Sequence, residues 1–111
     1  MEKKGPQRRR GTRRLRIIKT LVSQRQYGYT EKIQHLIEEG DFDLEDIERC
    51  ILSADEIQKV ELDERGTAID GCKYTIIGVD TWGVTFYTCG KLISNEESQQ
   101  LYFFITAHEQ Q

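Results

Sequence analysis

The run Cys72-Lys73-Tyr74-Thr75-Ile76-Ile77-Gly78-Val79, followed by Asp80-Thr81-Trp82-Gly83 and then Val84-Thr85-Phe86-Tyr87-Thr88-Cys89, decides the fold class. Side chains that branch at Cβ or carry a ring fit a pleated, half-buried surface, so both outer runs predict strands. The Asp, Thr and Gly between them are turn residues, which makes the pair an antiparallel hairpin. Toward the C-terminus, the polar stretch Gly90 to Gln100 predicts a loop, and Leu101-Tyr102-Phe103-Phe104-Ile105-Thr106-Ala107 predicts a last strand. Toward the N-terminus, Ile57 to Leu62 predicts a first one.

Before Ser53 the apolar period is helical. Leu15, Ile18, Leu21 and Val22 predict an amphipathic helix over 12–24, whose arginines oppose the helix dipole in its first turn. Tyr27-Gly28-Tyr29 breaks it. Thr30 is an N-cap for a second helix over 30–39, with Ile33, Leu36 and Ile37 on one face and Gly40 as its stop. Asp43 caps a third over 43–53, striped by Leu44, Ile47, Cys50 and Ile51. Helices first and strands afterwards predict one α+β domain over 12–111 with an antiparallel sheet. The first eleven residues, with Gly5, Pro6 and three consecutive arginines, offer nothing to bury and predict a flexible basic tail.

Charge divides the chain. Residues 1–25 hold ten of the sixteen Lys and Arg against one acid, Glu2, whereas residues 26–111 hold six bases against eighteen acids. The basic arm has three readings: it neutralises nucleic-acid phosphates, it folds onto the acidic body of its own or a neighbouring chain, or it is a solvated tail. No apolar run approaches the ~20 residues of a membrane span, and no apolar stretch follows the charged start, so neither a membrane protein nor a secreted one is expected. Three cysteines, Cys50, Cys72 and Cys89, form no disulfide framework, and the reducing cytoplasm is the expected compartment.

Three chemistries deserve weighing. Zinc would take Cys72, Cys89 and His108, but close-set Cys pairs are absent and ordinary sheet residues are the better reading, so neither metal nor cofactor is expected. A cysteine nucleophile lacks a supporting His motif. A metal-independent ribonuclease needs cations for the developing phosphate charge and a Tyr, His or Glu to move a proton. Arg65, Lys73, Tyr74, Tyr87, Tyr102 and His108 on or beside the sheet could supply such a set, although tyrosines alternate in strands for packing reasons alone.

Lys73-Tyr74-Thr75-Ile76-Ile77-Gly78, Gly83-Val84-Thr85-Phe86 and Phe104-Ile105-Thr106-Ala107-His108-Glu109 resemble an uncharacterised bacterial domain family related to the RelE and MqsR-like toxins of toxin-antitoxin pairs. The resemblance implies N-terminal helices packed on a curved three- to four-stranded antiparallel sheet, endoribonuclease activity on messenger RNA, and an antitoxin protein and RNA as partners. It carries Lys73 as the group that stabilises phosphate charge, Tyr74 or His108 as acid or base, and Thr106 beside them. Arg65, Arg13 and Arg14 are the candidates for holding the rest of the substrate. The family's His and Arg on the second helix fall here on Lys32 and Leu36, and Leu can neither donate to a phosphate nor carry a proton. The competing expectation is a non-catalytic interaction module: its arm contacts nucleic acid, and its acidic body binds a basic partner or a second copy as a homodimer.

Overall fold

The computed structural model describes residues 12–109, and the predicted basic tail, residues 1–11, lies outside them. In chain order the elements are α1 (Thr12–Ser23), β1 (Tyr27–Tyr29), α2 (Glu31–Glu38), α3 (Leu44–Ser53), β2 (Lys59–Leu62), β3 (Cys72–Val79), β4 (Thr85–Ser94) and β5 (Gln100–Glu109). The strands form one sheet in the order β1-β5-β4-β3-β2. The class is α+β, as the order of periods predicts. The sheet is five-stranded and mixed, not three- to four-stranded and antiparallel, because β1 runs parallel to β5.

The two departures from expectation have physical causes. Tyr27-Gly28-Tyr29 is too short to show a period of its own, and β5 templates it: Tyr27 meets Tyr102 in register, and its ring lies edge-on to Phe104 at 5.4 Å. Gly90 does not end β4, which continues to Ser94. A Cβ at Gly90 would lie 2.5 Å from the Tyr102 ring, so glycine lets that ring cross the strand. A register shift between Cys89 and Gly90 accompanies the crossing.

The helices start and stop where their caps dictate. Thr30 accepts from the Ile33 N–H at 3.3 Å, and Asp43 and Asp46 form a reciprocal capping box at the start of α3. Asp46 also accepts from the Thr81 N–H at 3.0 Å and its hydroxyl at 2.8 Å, tying α3 to the β3–β4 turn. α3 lies on β3 and β4, α1 on α3 and β5, and α2 on β5. The core between helices and sheet includes Ile18, Ile33, Ile47, Ile51, Ile76, Phe86, Tyr102 and Phe104, all nearly inaccessible. Cys50 sits among them, its Sγ 3.2 Å from the Phe86 carbonyl, and burial pushes its thiol up to about 11.

Among the described glycines Gly78 is the most tightly packed: a Cβ there would stand 2.0 Å from the Cys50 carbonyl oxygen and 2.7 Å from Ser53 Oγ. Ser53 Oγ accepts from the Val79 N–H at 3.0 Å, so the end of α3 is bonded to the strand beneath it. Gly78→Ala should therefore cost about 3 kcal/mol, because backbone and not a pliant side chain must move, as read by urea denaturation followed by circular dichroism. Among the described residues the buried Tyr102 hydroxyl has no hydrogen-bond partner. Tyr102→Phe is expected to leave stability unchanged or raise it by about 1 kcal/mol in the same assay.

Candidate functional site

Period two in the strands sorts the sheet into two faces. Tyr74, Ile76, Phe86, Thr88, Leu92, Tyr102 and Phe104 face the helices and are buried. The alternate residues, Lys73, Thr75 and Ile77 on β3, Tyr87, Cys89 and Lys91 on β4, and Phe103, Thr106 and His108 on β5, line the face that α1, α2 and α3 leave uncovered.

One end of that open face is hollowed. A concavity of about 430 Å³ is lined by Lys73, Lys91, Phe103 and Ile105 from the sheet, by Asp63, Glu64 and Arg65 from the β2–β3 loop, and by Thr30. Thr30 is fixed twice, since it caps α2 and donates its hydroxyl to the Ile105 carbonyl at 3.2 Å. Gly28 on β1 lies beside the Phe103 ring, where a Cβ would sit 3.3 Å away.

Asp63 builds the loop wall. Its carboxylate accepts from the N–H groups of Arg65 at 3.3 Å, Thr67 at 3.0 Å and Ala68 at 2.8 Å, and from Lys91 Nζ at 3.3 Å. Both members of the ion pair are enclosed, with side chains 1% and 8% exposed for Asp63 and Lys91. Burial by itself would raise the Asp63 pKa, but the Ala68 N–H, the Lys91 ammonium and the Arg65 N–H offset it, and the carboxyl lies below its ordinary value. The Lys91 charge is thereby committed. Among the described residues no ion pair engages Lys73 or the Arg65 guanidinium, so two cations stand uncommitted over an apolar floor of Phe103 and Ile105.

The residues singled out from the sequence are thus divided. Arg65 and Lys73 share the hollow. Tyr74 lies on the helix face and donates its hydroxyl to Asp70 Oδ2, and burial with the Asp70 charge raises its pKa far above the ordinary tyrosine value. Arg14 Nε reaches the same Asp70 oxygen at 3.4 Å, and Arg13 and Arg14 line a separate hollow with Val60 and Tyr74. Thr106 and His108 are on the open face but farther along it. His108 is exposed and stacks on Tyr87 with ring centroids 5.3 Å apart and planes 9° from parallel. Register places His108 level with Tyr87 and Ile77, so its Cα is about 13 Å along and about 10 Å across the sheet from that of Lys73, or about 16 Å in all.

Cys72 packs toward the helix layer and Cys89 lies on the open face, which separates the two thiols considered for zinc. Lys91, Phe103 and Asp63 were not legible as site residues. Phe103 could have been found, because it alternates with Tyr102 and Phe104; Lys91 sat in a stretch that reads as loop. No described helix is long and apolar enough to cross a membrane. Comparison of the chain with protein-family models, curated proteins and solved structures finds no match in any of the three.

The Asp63 cluster sets an expectation for acid. A carboxyl whose folded pKa is depressed contributes stability that is present above its unfolded value, ordinarily 3.8, and is lost as pH falls through the folded one. Asp63→Asn should lower the thermal midpoint at neutral pH and flatten its decline below about pH 4 relative to the wild type, measured by melting at a series of pH values.

Proposed function

We propose that the open face of the sheet binds single-stranded RNA, with the Arg65–Lys73 hollow holding a phosphate and the Phe103 ring at its floor taking a base. The observation that carries this is the pair of uncommitted cations beside an aromatic ring in a concavity of nucleotide size. A positive groove with stacking rings is how single strands are held without readout of base edges. The Tyr87–His108 stack offers a second platform on the same face.

Charge is compatible with this use. Residues 31–56, which are α2, α3 and their loops, hold ten acids against two bases. Much of the body's acidity therefore sits in the layer behind the sheet, where it repels a bound strand least. A toxin-like fold of the RelE and MqsR kind remains part of the proposal for the domain's ancestry.

We propose binding and not cleavage because neither His108 nor Tyr74, the acid–base groups the resemblance implies, joins the cations, although the Glu64 carboxylate lines the same hollow. A proton-moving group must come within hydrogen-bond reach of the phosphate that the cations hold. His108 is about 16 Å from Lys73 by strand geometry, and Tyr74 is on the far side of the sheet with its hydroxyl bonded to Asp70.

Fluorescence anisotropy with a short labelled RNA tests the proposal. Lys73→Glu with Arg65→Glu should weaken binding by about tenfold or more, and Lys73→Ala should lower the log-log salt slope by about 0.7. Phe103→Ala should cost about 1–3 kcal/mol of affinity. Unchanged affinity and slope in all three variants would overturn the assignment of this face.

A further inference from the structure

β2 ends the sheet, and its outer side pairs with no other described strand. All four of its residues are exposed, with Val60 at 55% and Leu62 at 74%, so it presents apolar side chains along an open edge. Such an edge is a template for another strand unless something blunts it.

The backbone limits what can pair there. Asp63 N–H donates to the Gly71 carbonyl at 2.8 Å, continuing the β2–β3 register that sets Glu61 against Lys73 and Leu62 against Cys72. In an antiparallel ladder the inward-bonding residues alternate, so Glu61 turns its N–H and C=O toward β3 while Val60 and Leu62 turn theirs outward. A second strand must meet Val60 and Leu62 with outward-pointing residues of its own.

The segment Lys59-Val60-Glu61 meets that requirement against itself at Val60, while Leu62 falls opposite the partner's Gln58, whose N–H is already given to the Thr75 carbonyl. A two-fold axis through Val60 sets Val60 against the partner's Val60, with both residues offering free N–H and C=O groups. The same axis sets Lys59 against the partner's Glu61, and Glu61 against the partner's Lys59, on the open face. In the single chain Lys59 Nζ lies 3.4 Å from Glu61 Oε2 with both ends solvated, and Glu61 stands opposite Lys73. Other axes fail. Centring on Leu62 opposes Glu61 to the partner's Asp63, which is like-charged, and centring on Gln58 needs an N–H already given to the Thr75 carbonyl at 2.9 Å.

We propose that β2 is a self-pairing edge, joining two copies of this chain antiparallel about Val60 so that their sheets become one. Sedimentation velocity of the full chain from about 5 to about 500 µM tests this, with a monomer–dimer equilibrium expected because the contact is short. Lys59→Glu and Glu61→Lys should each weaken the dimer about tenfold or more, and an equimolar mixture of the two variants should recover it, since every Glu then meets a Lys. Val60→Pro removes an outward N–H without taking a bond from the β2–β3 ladder, and should abolish pairing. Circular dichroism melting verifies that each variant is folded. A wild type that stays monomeric over the whole range overturns the proposal, as does a dimer that neither the charge variants nor Val60→Pro weaken.

Discussion

The contact at Gly78 is the constraint on which the other features depend. The Cys50 carbonyl of α3 rests where a side chain would stand, and Ser53 bonds the same helix end to Val79. This seats α3 on one face of β3. Because strand side chains alternate, the two faces stay distinct along the strand: Tyr74 and Ile76 go inward, Lys73, Thr75 and Ile77 outward. The glycine thus lets α3 sit directly on the face that the alternating apolar residues of β3, β4 and β5 make core. Without the close approach the helix would stand off, and the side chains that distinguish the faces would lose their partners.

The buried Asp63–Lys91 pair has a different role. An enclosed ion pair is weak support for stability, since desolvation offsets much of the Coulombic gain. Here the carboxylate is satisfied by three backbone N–H groups as well as the ammonium, and those three come from the loop that carries Arg65. The pair thus shapes a wall. It consumes one cation of the open face and positions a second, Arg65, in the same hollow as Lys73.

Legibility followed locality. β3 runs from Cys72 to Val79 as its β-branched sequence predicts, and α3 follows its Asp43 cap and apolar stripe, because each is determined by residues next to one another in the chain. β1 carries no strand signal of its own, because β5, over seventy residues later, makes it a strand. Gly90 reads as a break locally but is needed for the Tyr102 ring. The site shows the same divide. Lys73 was legible by residue type, yet Tyr74 beside it belongs to the other face. The place of Arg65 depends on Asp63 meeting Lys91 across 28 positions of sequence, which no local pattern reports.

The proposed edge pairing and the proposed strand binding share one geometry. A two-fold axis perpendicular to the sheet keeps both open faces on the same side. Two copies joined about Val60 would then present their Lys73 residues three strands apart and two residues out of step, which is about 16 Å. A single RNA strand crossing the junction would meet both hollows, and the second engagement would be intramolecular, with an effective concentration in the millimolar range. Modest affinity at each hollow is then compatible with firm retention of a longer strand. Cleavage would demand placement of a proton donor to a fraction of an ångström, whereas this kind of retention needs only repeated, loosely spaced charges and rings. The proposed site at Lys73, Arg65 and Phe103, with the proposed pairing edge at Val60, is of the second kind.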